Sequence, residues 1–407
     1  MMNSVATPPS FQRAMSEWGP RFLAEARAVG GTLPPRAIYV GTDCSGIETP
    51  IMALQAMGVQ HTHEFSSEIR PRVRKFIELN FASASSRGTS NFSLSDDMLK
   101  RPSETLPDVD LYVCGFPCKP FSKLHCNRTG LKDKNARPFF KLLNVLRVKQ
   151  PSVAVLENVL GIKNVLKTIM QKLRGLGLYE VLTAELNPLD MGEPVARPRM
   201  FFILIRKDRA VADVADCADR LLGAIGQSSG KVPLSARLLD VSPGTSTSAR
   251  KRPGSPAFAS SQGQAPKRSR AGQHRRPDDE WMTDRQRSVH SALLSVSEAQ
   301  RRVGEVDKHV VDLSQSIGRT RLYFDRAPVV TPGGRIWINE KKRFMSPAEK
   351  VAIHMVPIHA LQWPDDLTAA DVSDMGGNTM HVMAVATSVV VGSKSSSVGG
   401  ALVVVSR

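Results

Sequence analysis

The chain has 407 residues, a formal net charge of +17 and a hydrophobic share of 41%, ordinary for a globular protein with one large domain and a smaller one. No apolar run approaches the roughly 18 residues that cross a bilayer, and no basic start leads into an apolar core, so neither a membrane partner nor a secretory signal is expected. The charge favours a polyanionic partner, most simply nucleic acid, over an enzyme with one basic tail. The five cysteines, Cys44, Cys114, Cys118, Cys126 and Cys217, are an odd, scattered set that suits a reducing compartment better than a disulfide framework.

Residues 1–35 read as a polar N-terminal extension carrying Pro8, Pro9, Pro34 and Pro35. One amphipathic helix fits there, around Phe11 to Val29, with Phe11, Trp18 and Phe22 as residues that could dock on the main domain. Residues 36–206 alternate strands with helices. Ala37–Gly41 and His63–Ser67 read as strands, and Pro50–Met57 and Pro71–Asn80 as helices entered through a proline. Apolar runs at Val109 to Val113 and Val153 to Leu156 read as buried strands. Helical spacing recurs over Pro138–Val148 and Ile162–Leu173. Tyr179–Leu186 and Met200–Ile205 close the block as strands. This alternation predicts an α/β fold, a doubly wound and mostly parallel sheet covered by helices.

The rhythm is lost over 207–327. Within it, 241–277 is rich in Ser, Pro, Gly and Arg and holds no Asp or Glu; such a composition cannot bury enough apolar surface to fold alone. Its basic clusters, within 250–276, resemble a bipartite nuclear-import signal that an import receptor would read. The alternative is a solvated loop touching phosphates without sequence preference. Order returns over 328–390, with a short strand at Arg335–Ile338 and a helix start at Ser346-Pro347-Ala348-Glu349. The tail, 391–407, follows a first valine-rich run and contains a second.

The residues that carry chemistry lie at strand ends, where open α/β sheets bind ligands. Thr42-Asp43-Cys44-Ser45-Gly46-Ile47-Glu48 reads as a strand, a tight turn at Gly46 and a helix, the frame of a nucleotide cradle. Glu68 ends the next strand, at the distance from Gly46 where an acid binds ribose hydroxyls. Asp97 ends a third candidate strand and could accept from an adenine amine, or be a solvated loop acid. Cys118 follows Pro117, which fixes the backbone and rigidifies the loop presenting the sulfur. A thiolate there would be favoured by cations such as Lys119. Cys114, Cys118, His125 and Cys126 match no usual zinc spacing, so no metal is expected.

With these motifs in place, the chain resembles the cytosine-C5 methyltransferases that use S-adenosylmethionine. Pro117-Cys118 with Phe121-Ser122 looks like their nucleophile loop, and Glu157-Asn158-Val159 like their catalytic Glu-Asn-Val. Arg197-Pro198-Arg199 stands where they carry Gln-x-Arg-x-Arg. Arg343 to Glu349 resembles a late structural block, and Gly377-Asn378-Thr379 the final cofactor-contacting one. The resemblance implies a Rossmann-like class I methyltransferase fold with a small target-recognition region inserted at 207–327. It also implies catalytic roles for Cys118, Glu157, Arg197 and Arg199. Cofactor contacts are implied at Cys44, Ser45, Gly46, Ile47, Glu68, Ile69, Asp97, Met98, Pro117, Asn378 and Thr379. DNA is the implied substrate, for a monomeric nuclear enzyme.

The sequence departs from the family pattern at Cys44 and Glu48, where an aromatic and a glycine are usual. It departs again at Val195, in place of Gln, and at Lys119, in place of Gln or Asn. Two other readings compete. A tRNA-methylating relative would carry a Cys-Phe-Thr signature in its recognition region, which is absent. A non-catalytic DNA-binding paralogue would have no need to retain Cys118, Glu157 and Arg199 together.

Overall fold

The computed structural model describes residues 9–28, 37–82, 92–121, 130–210, 231–239, 282–298 and 308–394, with scattered residues near 2, 7 and 215–223. The basic stretch 241–277, the loop 122–129 with Ser122, His125 and Cys126, and the second valine-rich run lie outside them.

Seven strands form the main sheet: β1 (Ile38–Asp43), β2 (His61–Ser67), β3 (Ser93–Ser95), β4 (Leu111–Cys114), β5 (Val153–Val159), β6 (Tyr179–Leu186) and β7 (Arg199–Arg206). Their order is β3-β2-β1-β4-β5-β7-β6. The pairs among β1 to β5 are parallel, and β7 is antiparallel to both its neighbours. The chain leaves β1 towards one edge and returns through β4 towards the other, so the switch point lies between β1 and β4.

Alternate residues along each strand bury on opposite faces, as the period of two requires. Val153 and Val155 of β5 join one core with Val40, Val113 and Ile203; Ala154 and Leu156 join the other with Tyr112 and Leu204. Burial on both faces is why these strands read as continuous apolar runs. α1 (Pro9–Ala28), α2 (Thr49–Ala56) and α3 (Pro71–Phe81) cover the first face; α4 (Arg137–Lys149) and α5 (Leu166–Arg174) cover the second. α1 docks as its apolar residues predict: Phe11, Trp18 and Phe22 are buried, each burial stabilising by about 2 kcal/mol. It lies so close to α2 that a Cβ on Gly19 would sit 1.8 Å from the Ala56 carbonyl oxygen.

Within 207–327 lies α6 (Asp284–Glu298), and beyond it come α7 (Pro347–Ala352), α8 (Ala369–Asn378) and α9 (Val382–Lys394). α7 starts on the expected capping box, Ser346 with Glu349. α9 takes up the first valine-rich run and packs on β5 and β7. A second, antiparallel sheet has the order β11-β10-β8-β9. It is built from β8 (His309–Asp312), β9 (Tyr323–Phe324), β10 (Ile336–Ile338) and β11 (Arg343–Phe344), so its strands come from both sides of residue 327.

Two local expectations are corrected. Ile162–Leu173 is not one helix: a 3₁₀ segment, Leu160–Val165, precedes α5, because Val165 leaves helical backbone angles (φ −124°, ψ 14°). Glu157 is not at a strand end either. Antiparallel pairing with β7 carries β5 on to Val159, opposite Arg199. No described helix is long and apolar enough to cross a membrane.

Candidate active site

The register of β5 and β7 makes the centre of the site. Val159 faces Arg199, and Glu157 lies two residues back on the same side of the strand. The two side chains therefore meet, with Arg199 Nε 2.9 Å from Glu157 Oε1. Glu157 is 8% exposed, and a buried carboxylate persists only with such a partner.

Cys118 reaches this pair from the loop after β4. Asn158, fully buried, donates from Nδ2 to the Phe116 carbonyl (3.0 Å) and so ties the loop to β5. Phe116 packs against Phe121 and Phe139. Cys118 is half-buried. Burial and the nearby Glu157 charge raise its thiol above the ordinary range, against the opposing pull of Arg199 and Arg197. This corrects the expectation of a thiolate poised by Lys119. Lys119 points to solvent, and the cations acting on the sulfur come from the β7 approach.

Arg197 and Arg199 differ. Arg197 is 3% exposed and donates to the carbonyls of Val330 (3.3 Å) and Gly377 (3.2 Å). It fastens the late part of the chain to the first part and does not open onto the cleft. Burial pushes it down to about 9, still a cation at neutral pH. Glu193 and Arg237, doubly hydrogen-bonded (2.7 and 2.8 Å), form a second buried pair there.

Across the switch point, β1 ends in the predicted turn. Gly46 has φ +56°, and nothing lies within 4 Å of where its Cβ would be, so the space over the turn is open. Gly46 N–H donates to Glu68 Oε2 (2.9 Å), which draws the first two strand ends together. Glu68 Oε1 accepts from Arg70 N–H and Nε (both 3.0 Å), and Arg70 Nη1 reaches Asp374 of α8 (2.6 Å). That bridge brings Asn378, exposed one turn beyond Asp374, to the same side of the cleft; its Nδ2 donates to the Asp374 carbonyl (2.9 Å). Thr379 is buried, its hydroxyl donating to the Met375 carbonyl (2.7 Å). Ile69, beside Glu68, is 71% exposed, the largest exposure among the large apolar residues described.

Cys44 Sγ lies 3.6 Å from Met98 Sδ and Gly46 N–H bonds Glu68, so Cys44, Ser45, Gly46, Glu68 and Met98 lie together, while the Ile47 side chain turns into the core and is 1% exposed. Asp97 caps its own turn by accepting from Leu99 N–H (2.9 Å). Pro117 stands beside Cys118, at the junction of cradle and nucleophile loop. Of the four residues weighed for zinc, Cys114 is buried in β4, and His125 and Cys126 lie outside the described residues. Two participants were not anticipated: Arg70, and Arg101, whose Nη2 contacts both oxygens of buried Asp43 (2.8 and 3.0 Å). Asn158 was read as part of the Glu-Asn-Val motif, but its tie to the Phe116 carbonyl was not foreseen.

The sequence profile described as C-5 cytosine-specific DNA methylase matches residues 44–382. The chain belongs to that family. Among curated relatives, the Type II methyltransferase M.HaeII of Haemophilus aegyptius is 32% identical over 164 residues, 39% of this chain and 48% of the relative. M.HpaII of Haemophilus parainfluenzae is 32% identical over 154 residues, 36% of this chain and 40% of the relative. The chain thus matches less than half the length of these relatives. The crystal structure of the S. pombe Dnmt2 methyltransferase superposes with a TM-score of 0.53 at 15% identity, covering 87% of this chain and 98% of that one. The fold is the class I methyltransferase fold.

Proposed function

We propose that the chain transfers a methyl group from S-adenosylmethionine to carbon 5 of cytosine in DNA. The observation that carries this reading is the convergence of Cys118 on the Glu157–Arg199 pair, beside the open Gly46 turn. S-adenosylmethionine supplies an electrophilic methyl. The cradle suits it: Glu68 stands at the ribose position, exposed Ile69 offers an apolar face to a purine, and Asn378 lies at the rim. Asp97 stands ready to accept from an adenine amine.

Cytosine carbon 5 is a poor nucleophile. The Cys118 thiol gives its proton to solvent and the sulfur adds to carbon 6, which breaks the carbon 5–carbon 6 double bond and makes carbon 5 enamine-like. Glu157 shares a proton with ring nitrogen 3 and offsets the charge that builds there. Arg199 orients Glu157 and holds the base oxygen; Arg197 keeps that strand in place. The nearby Glu157 charge raises the Cys118 thiol, so engaging that charge with ring nitrogen 3 favours the thiolate when the base is bound. After methylation, which releases S-adenosylhomocysteine, carbon 5 loses its proton to solvent, the carbon 6–sulfur bond breaks with its electrons on sulfur, and the thiolate takes a proton back from solvent as the ring is restored. A stacked base cannot reach Cys118, so the cytosine must leave the duplex. Residues 207–327 occupy the place of a recognition region, and clusters within 250–276 suit phosphate contact or nuclear import.

The test is a duplex carrying 5-fluorocytosine, which has no removable proton on carbon 5, incubated with chain and S-adenosylmethionine. The expected product is a denaturation-resistant complex mapped to Cys118, absent in Cys118→Ala. Trapping on tRNA but not on duplex DNA would overturn the DNA reading.

A further inference from the structure

Glu48 takes the place of a family glycine and keeps a glycine's backbone, φ +62°. Its side chain does not reach solvent: it is 0% exposed and folds beneath the cofactor turn. There Glu48 Oε1 accepts from the Thr42 hydroxyl (2.7 Å) and the Ser66 hydroxyl (2.6 Å). Each hydroxyl has one proton, which fixes the direction of the rest. Thr42, having donated to Glu48, accepts from Ser45 Oγ (2.7 Å), and Ser45 Oγ accepts from Ser67 N–H (3.2 Å). Ser66, having donated to Glu48, accepts from His63 Nε2 (2.9 Å). Two chains of donors thus converge on one carboxyl oxygen. They join the end of β1 and its turn to the end of β2, next to Glu68 and its grip on Gly46 N–H.

We infer that Glu48 is a positioning residue for the cofactor, acting through Ser45 and Ser66 to set the Gly46 turn against Glu68. The inference rests on the function proposed above. Among the described residues no cation pairs with Glu48. The facing ionisable groups are His63, 3.8 Å away and pushed down to about 3 by its burial, and Glu68, a like charge. Burial raises the Glu48 carboxyl to about 7, with hydrogen bonds from Ser66 and Thr42 restraining the rise and Glu68 adding to it. A folded-state value above the ordinary 4.5 fixes the sign. The stability that Glu48 contributes is full at acid pH below its unfolded value. It is lost as pH rises through about 7, when the buried group must ionise beside Glu68.

The experiment uses the full chain and S-adenosylhomocysteine, with affinity by calorimetry and melting temperature of the free protein, from about pH 6 to about pH 8.5. Wild type is expected to bind about threefold more weakly, or worse, at the alkaline end. Glu48→Gln, which keeps an acceptor but cannot ionise, should bind within about threefold of wild type at pH 6 and lose most of the pH slope in both measurements. Glu48→Leu, with no acceptor, should bind at least about tenfold more weakly throughout. Should that variant fail to fold, Ser66→Ala removes one donor and should weaken binding by about threefold. Wild-type affinity in Glu48→Leu or Ser66→Ala, or equal pH slopes in wild type and Glu48→Gln, overturns the inference. A wild type that binds no S-adenosylhomocysteine refutes the cofactor reading instead, and the melting slopes alone then decide the role of Glu48.

Discussion

Two buried glutamates lie on either side of the switch point, and their surroundings differ. Glu157 shares a salt bridge with Arg199 and opens onto Cys118. Glu48 is sealed, and its bonded oxygen accepts only from hydroxyls, Thr42 and Ser66. A guanidinium partner keeps a carboxylate charged for work on a substrate. A hydroxyl shell serves a carboxyl that burial favours in its neutral form and whose task is to hold a turn. On the proposed function, the same side chain serves chemistry on one side of the cleft and geometry on the other.

The sharpest way to break this contrast is one substitution made at both places. Glu157→Gln should lower methyl transfer by about 10²–10⁴-fold, read in single-turnover assays with radiolabelled methyl donor, with S-adenosylhomocysteine affinity unchanged. Equal, mild losses at Glu48 and Glu157 would erase the distinction. A smaller effect is expected at Glu68. Glu68→Ala removes the acceptor from Gly46 N–H and should weaken S-adenosylhomocysteine binding by about tenfold, while the rate at saturating methyl donor stays close to wild type. Unchanged affinity by calorimetry would take Glu68 out of the cradle. The smallest effect on fold and chemistry should come from deleting 241–277. Melting temperature and the transfer rate on saturating DNA should hold, while DNA affinity falls and its salt dependence becomes shallower as phosphate contacts are lost. Loss of the transfer rate with stability intact would extend the catalytic unit into that segment.

Much of the parallel sheet was legible because strands buried on both faces leave unbroken apolar runs, as in Val153 to Leu156. The nucleophile loop and the Glu-Asn-Val were legible as residue order. The small antiparallel sheet was less so: β9 and β11 have two residues each, too few for any period to show, and only β10 was anticipated. The reach of β5 to Val159 depends on pairing with β7, a partner 40 residues on in Val159↔Arg199, which local pattern cannot reveal. Lys119 misled because adjacency in sequence is not adjacency in space; Arg199 arrives by the sheet. Glu48 looked like a mere departure from a pattern, since its partners Ser66 and His63 sit on another strand.

The closure of the core by α9 bears on how the chain is made. A Cβ on Gly392 would lie 2.6 Å from Val153 Cγ1 and 3.0 Å from Ile203 Cγ2, so this helix seals one face of β5 and β7. During synthesis those strands leave the ribosome long before their cover does, and the insertion is made in between. The half-built sheet must therefore wait with an apolar face bare, the condition in which nascent chains aggregate or recruit chaperones. A ribosome stalled within the insertion would hold a chain that has its nucleophile and its glutamates but no finished core to keep them in place.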